Sequence, residues 1–216
     1  MSVERSVPTR GRTLDYAAAV YDLLSPIRTL GAEWYVSLRA VDALTLRGSE
    51  RVLDVGCGTG VAAFAAARKL AACGRVVGVD AAAKMIAVAR GKINGDARLR
   101  FDVAAAESLP YADASFEAAV STFFFHHLAA DLKAKALGEI ARVLVPGGVC
   151  AVADLDVPSS WWGKLCGEAA YRLFRQPEIQ ENNDGTFVKI LAASEFTVQP
   201  VSRHQGYITV WRLTKK

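Results

Sequence analysis

Between Arg51 and Leu155 the chain alternates two kinds of segment, and that alternation leaves few folds open. Short, nearly unbroken apolar runs read as strands: RVLDV (51–55), RVVGVD (75–80), LRFDVAA (99–105), FEAAVSTFFF (116–125) and GGVCAVADL (147–155). Segments of helical periodicity lie between them: GVAAFAAARKLAA (60–72), AAKMIAVARGKI (82–93) and KAKALGEIARVL (133–144). Strands joined by helices of this length form βαβ units and a parallel sheet. Strands that are apolar on both faces need cover on both faces. The C-terminal part differs. FTVQPVSRHQGYITVWRL (196–213) is two strand-like runs around a short polar turn, with no room for a helix. They are expected to pair as an antiparallel hairpin at the sheet edge. The expected fold class is therefore α/β: a doubly wound, Rossmann-like, seven-stranded sheet, mostly parallel with an antiparallel last strand.

Before this core, LDYAAAVYDLLSPI (14–27) carries apolar residues at helical spacing up to Pro26, and a second amphipathic segment runs from Leu30 to Leu46. Residues 1–46 read as an N-terminal helical cap segment and 47–216 as the sheet domain, within a single domain overall. Residues 1–12 are polar and Arg-rich and are expected to be disordered. The helix-like run SSWWGKLCGEAAYRLF (159–174) is the expected acceptor cap. A length of 216 residues supplies one full core, and 52% apolar with 22% charged residues suits a globular chain. The net charge of +4 is spread along the sequence and argues against nucleic acid as a partner. No run approaches the roughly 18 apolar residues of a membrane span, and no apolar signal core opens the chain. The expected location is cytoplasmic, and the sequence does not set the oligomeric state. The four cysteines lie far apart without a C-x-x-C pair, which argues against a metal site and for reduced, structural thiols.

The segment VLDVGCGTG (52–60) carries the chemistry. A glycine-rich turn between strand and helix lets a ligand approach the backbone and aims amide N–H groups at it. GCGTG is G-x-G-x-G, and GTGVAA from Gly58 also satisfies a loose dinucleotide pattern, so glycine spacing alone does not choose the ligand. Asp54 discriminates better. It would repel a pyrophosphate, whereas the ammonium of the methionine end of S-adenosylmethionine suits it. Asp80 ends the second strand about twenty residues beyond the glycines, where an acid can take ribose hydroxyls. Met85, one turn into the next helix, can pack on an adenine face.

Four segments in order, VLDVGCGTG, VVGVDAAAKMIAVAR, AESLPYADASFEAAVSTFFFHHL and EIARVLVPGGVCAVADL, make the chain resemble the class I S-adenosylmethionine-dependent methyltransferases, especially the ubiquinone/menaquinone C-methyltransferase-like (methyltransferase type 11) subgroup. YDLLSP (21–26) is similar to the Tyr-Asp segment preceding the core in many relatives. The resemblance implies S-adenosyl-L-methionine as cofactor. It implies cofactor contacts from Asp54, the turn residues Gly56, Cys57, Gly58 and Gly60, then Asp80, Ala81 and Met85, then Ala106, Glu107 and Ser121. The chain departs from the family at Ala105, where an acid usually stands near the adenine amino group; Asp102 is the alternative. The usual Gly-Phe before the last hairpin is Glu195-Phe196.

On the acceptor side, Ser121, Thr122 and Phe123 belong near the transferring methyl, because ligands of such sheets sit beyond the carboxyl ends of the strands. Candidate catalytic groups are His126 and His127, Asp154 and Tyr21, an imidazole being the side chain best placed to accept a proton near neutral pH. Tyr21, Trp34, Tyr35, Phe123, Phe124, Phe125, Trp161 and Trp162 suggest a small apolar or aromatic acceptor, methylated by in-line displacement in a dry site. Two alternatives are a nicotinamide-dependent oxidoreductase and a cofactor-binding protein without activity. Asp54, the absence of a Tyr/Lys catalytic pattern and the terminal hairpin count against the first. Ala105 leaves room for the second.

Overall fold

A computed structural model describes residues 5–13, 32–174 and 177–216. The expected helix at 14–27, with Tyr21, lies outside the described residues. The elements run α1 (Ala32–Ala43), β1 (Arg51–Val55), α2 (Val61–Ala67), β2 (Arg75–Asp80), α3 (Ala83–Gly91), β3 (Leu99–Val103), β4 (Phe116–Thr122), a 3₁₀ turn (Phe125–His127), α4 (Ala130–Val143) and β5 (Leu144–Leu155). They continue with α5 (Trp161–Phe174), α6 (Pro177–Asn183), α7 (Thr186–Ala193), β6 (Phe196–His204) and β7 (Ile208–Lys215).

The strands form one seven-stranded sheet in the order β3-β2-β1-β4-β5-β7-β6. The pairs β3–β2, β2–β1, β1–β4 and β4–β5 are parallel, while β5–β7 and β6–β7 are antiparallel. The expected fold is present, with one refinement. The last strand does not extend the edge but inserts beside β5, leaving β6 outermost. β6 manages that position with Pro200 and a register shift between Pro200 and Ser202, which leaves Val201 as an extra residue. The hairpin turns through Gln205, Gly206 and Tyr207, the first two at positive φ (50° and 75°).

Each strand feeds two cores. On β1, Val52 belongs to the cluster with Ala62, Ala66 and Ile86, and Leu53 and Val55 belong to the cluster with Leu137, Ile140 and Phe187. Alternate residues point to opposite faces, so an apolar strand fills both layers. The alanine-rich α2 suits a helix that must lie close to the sheet, since alanine has the best helix propensity and adds least bulk. α6 and α7 occupy a stretch to which periodicity assigns no helix. α7 covers the second face, with Phe187 and Leu191 fully buried, and Ile179 of α6 packs into the first cluster.

Strand order reverses between β1 and β4, each starting a run toward one edge. The carboxyl ends of these two strands therefore splay the following segments apart and open a crevice.

Candidate functional site

At that crevice β1 runs into the glycine turn. Gly56 and Gly58 take positive φ, 69° and 51°. A Cβ at Gly56 would lie 2.1 Å from the Phe124 ring, so no side chain fits there. At Gly58 the space is open and only the backbone angle asks for glycine. The amides of Gly56 and Cys57 both donate to the Val79 carbonyl, at 2.9 and 3.0 Å, and lash the turn to the end of β2. The Asp80 carboxylate accepts from Gly58 N (2.9 Å) and Ala82 N (2.8 Å). It is thereby fixed between the turn and the start of α3.

Gly56, Cys57, Gly58, Asp80, Ala81, Met85, Ala106, Glu107 and His127 line one pocket at this crevice, joined by Phe123 and Phe124. Phe123 holds a φ of 52°, an uncommon angle for an aromatic residue, at the end of β4. Gly60, Asp54, Ser121, His126 and Asp154 do not form its wall. Gly60 instead caps α2 in the left-handed conformation. Ser121 is buried on the other face, and its hydroxyl donates to the Val55 carbonyl at 2.8 Å. That bond ties β4 to β1. Asp102, the alternative to Ala105, accepts from Tyr111 Oη (3.0 Å) and Arg100 Nε (2.9 Å), away from the pocket.

Asp54 lies behind the turn, 1% exposed, on the α2 face of β1. Neither carboxylate oxygen has a hydrogen-bond partner among the described residues. Burial pushes its pKa up to about 7, the Ala63 backbone N–H pulls it down, and the nearby Asp80 charge adds to the rise. An unpartnered buried carboxylate is costly unless a cation completes it.

The two histidines separate in role. His126 Nδ1 meets Asp154 Oδ1 at 2.8 Å, and Asp154 is fully buried. Burial would raise the Asp154 pKa, but the His126 ring, its hydrogen bond and the Leu155 amide hold the carboxyl below its ordinary range. His127 reaches the pocket, with its ring centroid 4.0 Å from that of His126. Of the aromatic residues expected around the acceptor, Phe123 and Phe124 line the pocket. Phe125 is core, stacked on Phe187 at 5.0 Å. Trp34, Tyr35, Trp161 and Trp162 are exposed.

The N-terminal segment corrects the expectation of disorder. Residues 6–12 cross the crevice as a strap. Val7 N donates to the Ala81 carbonyl (3.0 Å), Ala83 N to Ser6 Oγ (3.0 Å) and Arg12 N to the His127 carbonyl (3.2 Å). The Thr9 hydroxyl donates to Glu107, Arg10 pairs with Asp131, and Thr9, Gly11 and Arg12 join the pocket wall. Sequence patterning has no signal for this, since the strap binds through backbone and short polar groups.

The strand order and the antiparallel terminal hairpin match the Rossmann-like fold of solved methyltransferases. Residues 52–148 match the family model described as methyltransferase domain. The chain is 39% identical over 139 residues to a demethylmenaquinone methyltransferase of Thermus thermophilus, covering 64% of this chain and 62% of that one. It is 34% identical over 142 residues to a ubiquinone/menaquinone biosynthesis C-methyltransferase of Geobacter sp., covering 64% and 60%. The chain thus spans about 60% of the length of these curated relatives. Among solved structures it resembles a SAM-dependent methyltransferase from Aquifex aeolicus, with a TM-score of 0.71, 20% identity, and coverage of 95% of this chain and 100% of that one. The YcgJ protein of Bacillus has a TM-score of 0.69 at 22% identity, covering 84% and 99%. These two likenesses concern the fold.

Proposed function

We propose that the chain is an S-adenosylmethionine-dependent methyltransferase acting on a small apolar aromatic acceptor of the quinol type. The observation that carries the reading is Asp54, a buried carboxylate without a partner directly behind a G-x-G-x-G turn. It fits a cofactor that brings an ammonium group, and it disfavours a pyrophosphate. The two curated relatives, named for quinone substrates, support the acceptor class.

The bound cofactor would supply a methyl group on a sulfonium, already activated for displacement. Asp54 would neutralise its ammonium. Asp80, held by two amides at the end of β2, would take the ribose hydroxyls. Met85 and Ala106 offer apolar walls for the base, beside Glu107. Phe123, Phe124 and Leu128 exclude water from the acceptor side. His127, on the pocket wall, would accept the proton that the acceptor loses on methylation. His126 and Asp154 are positioning residues, which fix the ring beside His127.

Transfer of labelled methyl to a reduced naphthoquinol tests this reading. The parent is expected to turn over, and His127→Ala to lose roughly 10²–10⁴-fold in kcat, the range of a general base. Cofactor affinity should be retained. Turnover unchanged in that variant would remove the base assignment, and no transfer to any quinol would remove the acceptor class.

A further inference from the structure

Helix α5 sits on the molecule through its smallest residues. A Cβ at Gly163 would lie 2.6 Å from the Gly206 carbonyl oxygen, and one at Gly167 would lie 3.2 Å from the Asn183 side chain. The large apolar side chains face outward: Trp161 is 76% exposed, Leu165 54% and Trp162 47%. A helix of a self-sufficient fold buries such residues. Trp34 and Tyr35 of α1 are exposed as well. The Tyr35 ring meets His204 edge-on at 5.3 Å, and His204 leads into the turn on which Gly163 rests. Both aromatic groups therefore flank the β6–β7 turn. Leu155 pairs with Ile208 there, so the turn lies on the carboxyl-end rim of the sheet, as the pocket does.

The charge on this face is cationic where it is unpaired. Lys164 stands between Trp161 and Leu165 and has no acidic partner among the described residues. Glu168 is taken by Arg172 at 2.7 Å, and Arg39 faces Asp42 at 3.7 Å. Trp, Tyr and Leu interleaved with Lys is the composition of a helix lying in a membrane interface. A second copy of the chain fits less well. Six exposed apolar residues on two helices fall short of the roughly 20–30 residues a side that a stable protein interface uses.

We propose that this face docks on a lipid bilayer with anionic headgroups, Trp161, Trp162, Leu165 and Trp34 entering the interface and Lys164 meeting lipid phosphate. Docking does not rest on methyl transfer. If the acceptor is a membrane-soluble quinol, as the proposed function has it, docking delivers it to the rim without a passage through water.

Sedimentation of the full chain with phosphatidylcholine vesicles, with and without phosphatidylglycerol, tests this. Binding to the anionic vesicles is expected, with a blue shift of tryptophan emission. The doubly substituted Trp161→Ser/Leu165→Ser chain should bind at least about tenfold more weakly. Lys164→Glu should lose at least roughly fivefold, the loss expected for removing one surface cation. Thermal melts and S-adenosylhomocysteine binding report whether the variants stay folded and keep the cofactor site. If the double variant melts early, Lys164→Glu and Trp34→Ser decide the question alone. The proposal is overturned if the parent binds neither vesicle, if the substitutions leave binding unchanged, or if the parent is a dimer that the double variant dissolves. The last result would assign the face to a second copy.

Discussion

Asp54 is the residue whose environment is hardest to account for without a ligand. Its position before the glycine turn was legible, because motif spacing is a local property of the chain. Its isolation was not, because that depends on what β2, β4 and α2 bring near it. The pKa of about 7 carries a sign. In the unfolded chain the group titrates near 4. The folded state therefore holds the proton more tightly, and the Asp54 contribution to stability falls as pH rises from about 4 to about 7. Asn at this position removes the charge. The ligand-free Asp54→Asn chain should exceed the parent in stability by roughly 2–4 kcal/mol at pH 8 and match it near pH 4. Urea denaturation at the two pH values reads this difference. Equal stability at pH 8 would mean that the carboxylate has a partner after all. Ser121 makes the complementary point. Its place at the end of β4 is legible, but the turn of its hydroxyl to the Val55 carbonyl depends on how β1 lies beside it.

At the scale of elements, the alternating strands and helices were readable because each must satisfy its own periodicity. The strap at residues 6–12, the helices α6 and α7 and the seating of α5 were not. The strap pairs through main-chain groups, which any sequence carries. α5 has a clear helical pattern, yet its buried face is the glycine face, and periodicity assigns burial to the larger residues. α6 is seven residues long and α7 eight, too short for a repeating pattern. The strap lines the pocket with Thr9, Gly11 and Arg12 and engages Glu107, so it should seal the bound cofactor. Deleting residues 2–12 should leave the fold intact and raise the dissociation rate of S-adenosylhomocysteine roughly tenfold, since affinity differences of this kind appear mainly in release. Stopped-flow displacement measures it. An unchanged rate would make the strap a surface decoration.

For the whole molecule, the seven-stranded sheet brings two acids separated by 25 intervening residues to one crevice and lays the acceptor-side histidines opposite them. That convergence is why the sequence indicated a cofactor class while leaving the acceptor open. The cofactor motifs are contiguous in the sequence, whereas the pocket wall also draws on the strap, α1 and the end of β4. The central claim is that Asp54 awaits a cationic cofactor, and calorimetric titration of the full chain at pH 7, in buffers of different ionisation enthalpy, tests it most directly. S-adenosylhomocysteine should bind and release about half a proton as Asp54 ionises. Asp54→Asn should bind about 1.5–3 kcal/mol more weakly and release none. NADH should give no binding heat. Proton-neutral binding of equal strength in parent and variant, or binding of NADH in place of S-adenosylhomocysteine, would contradict the account.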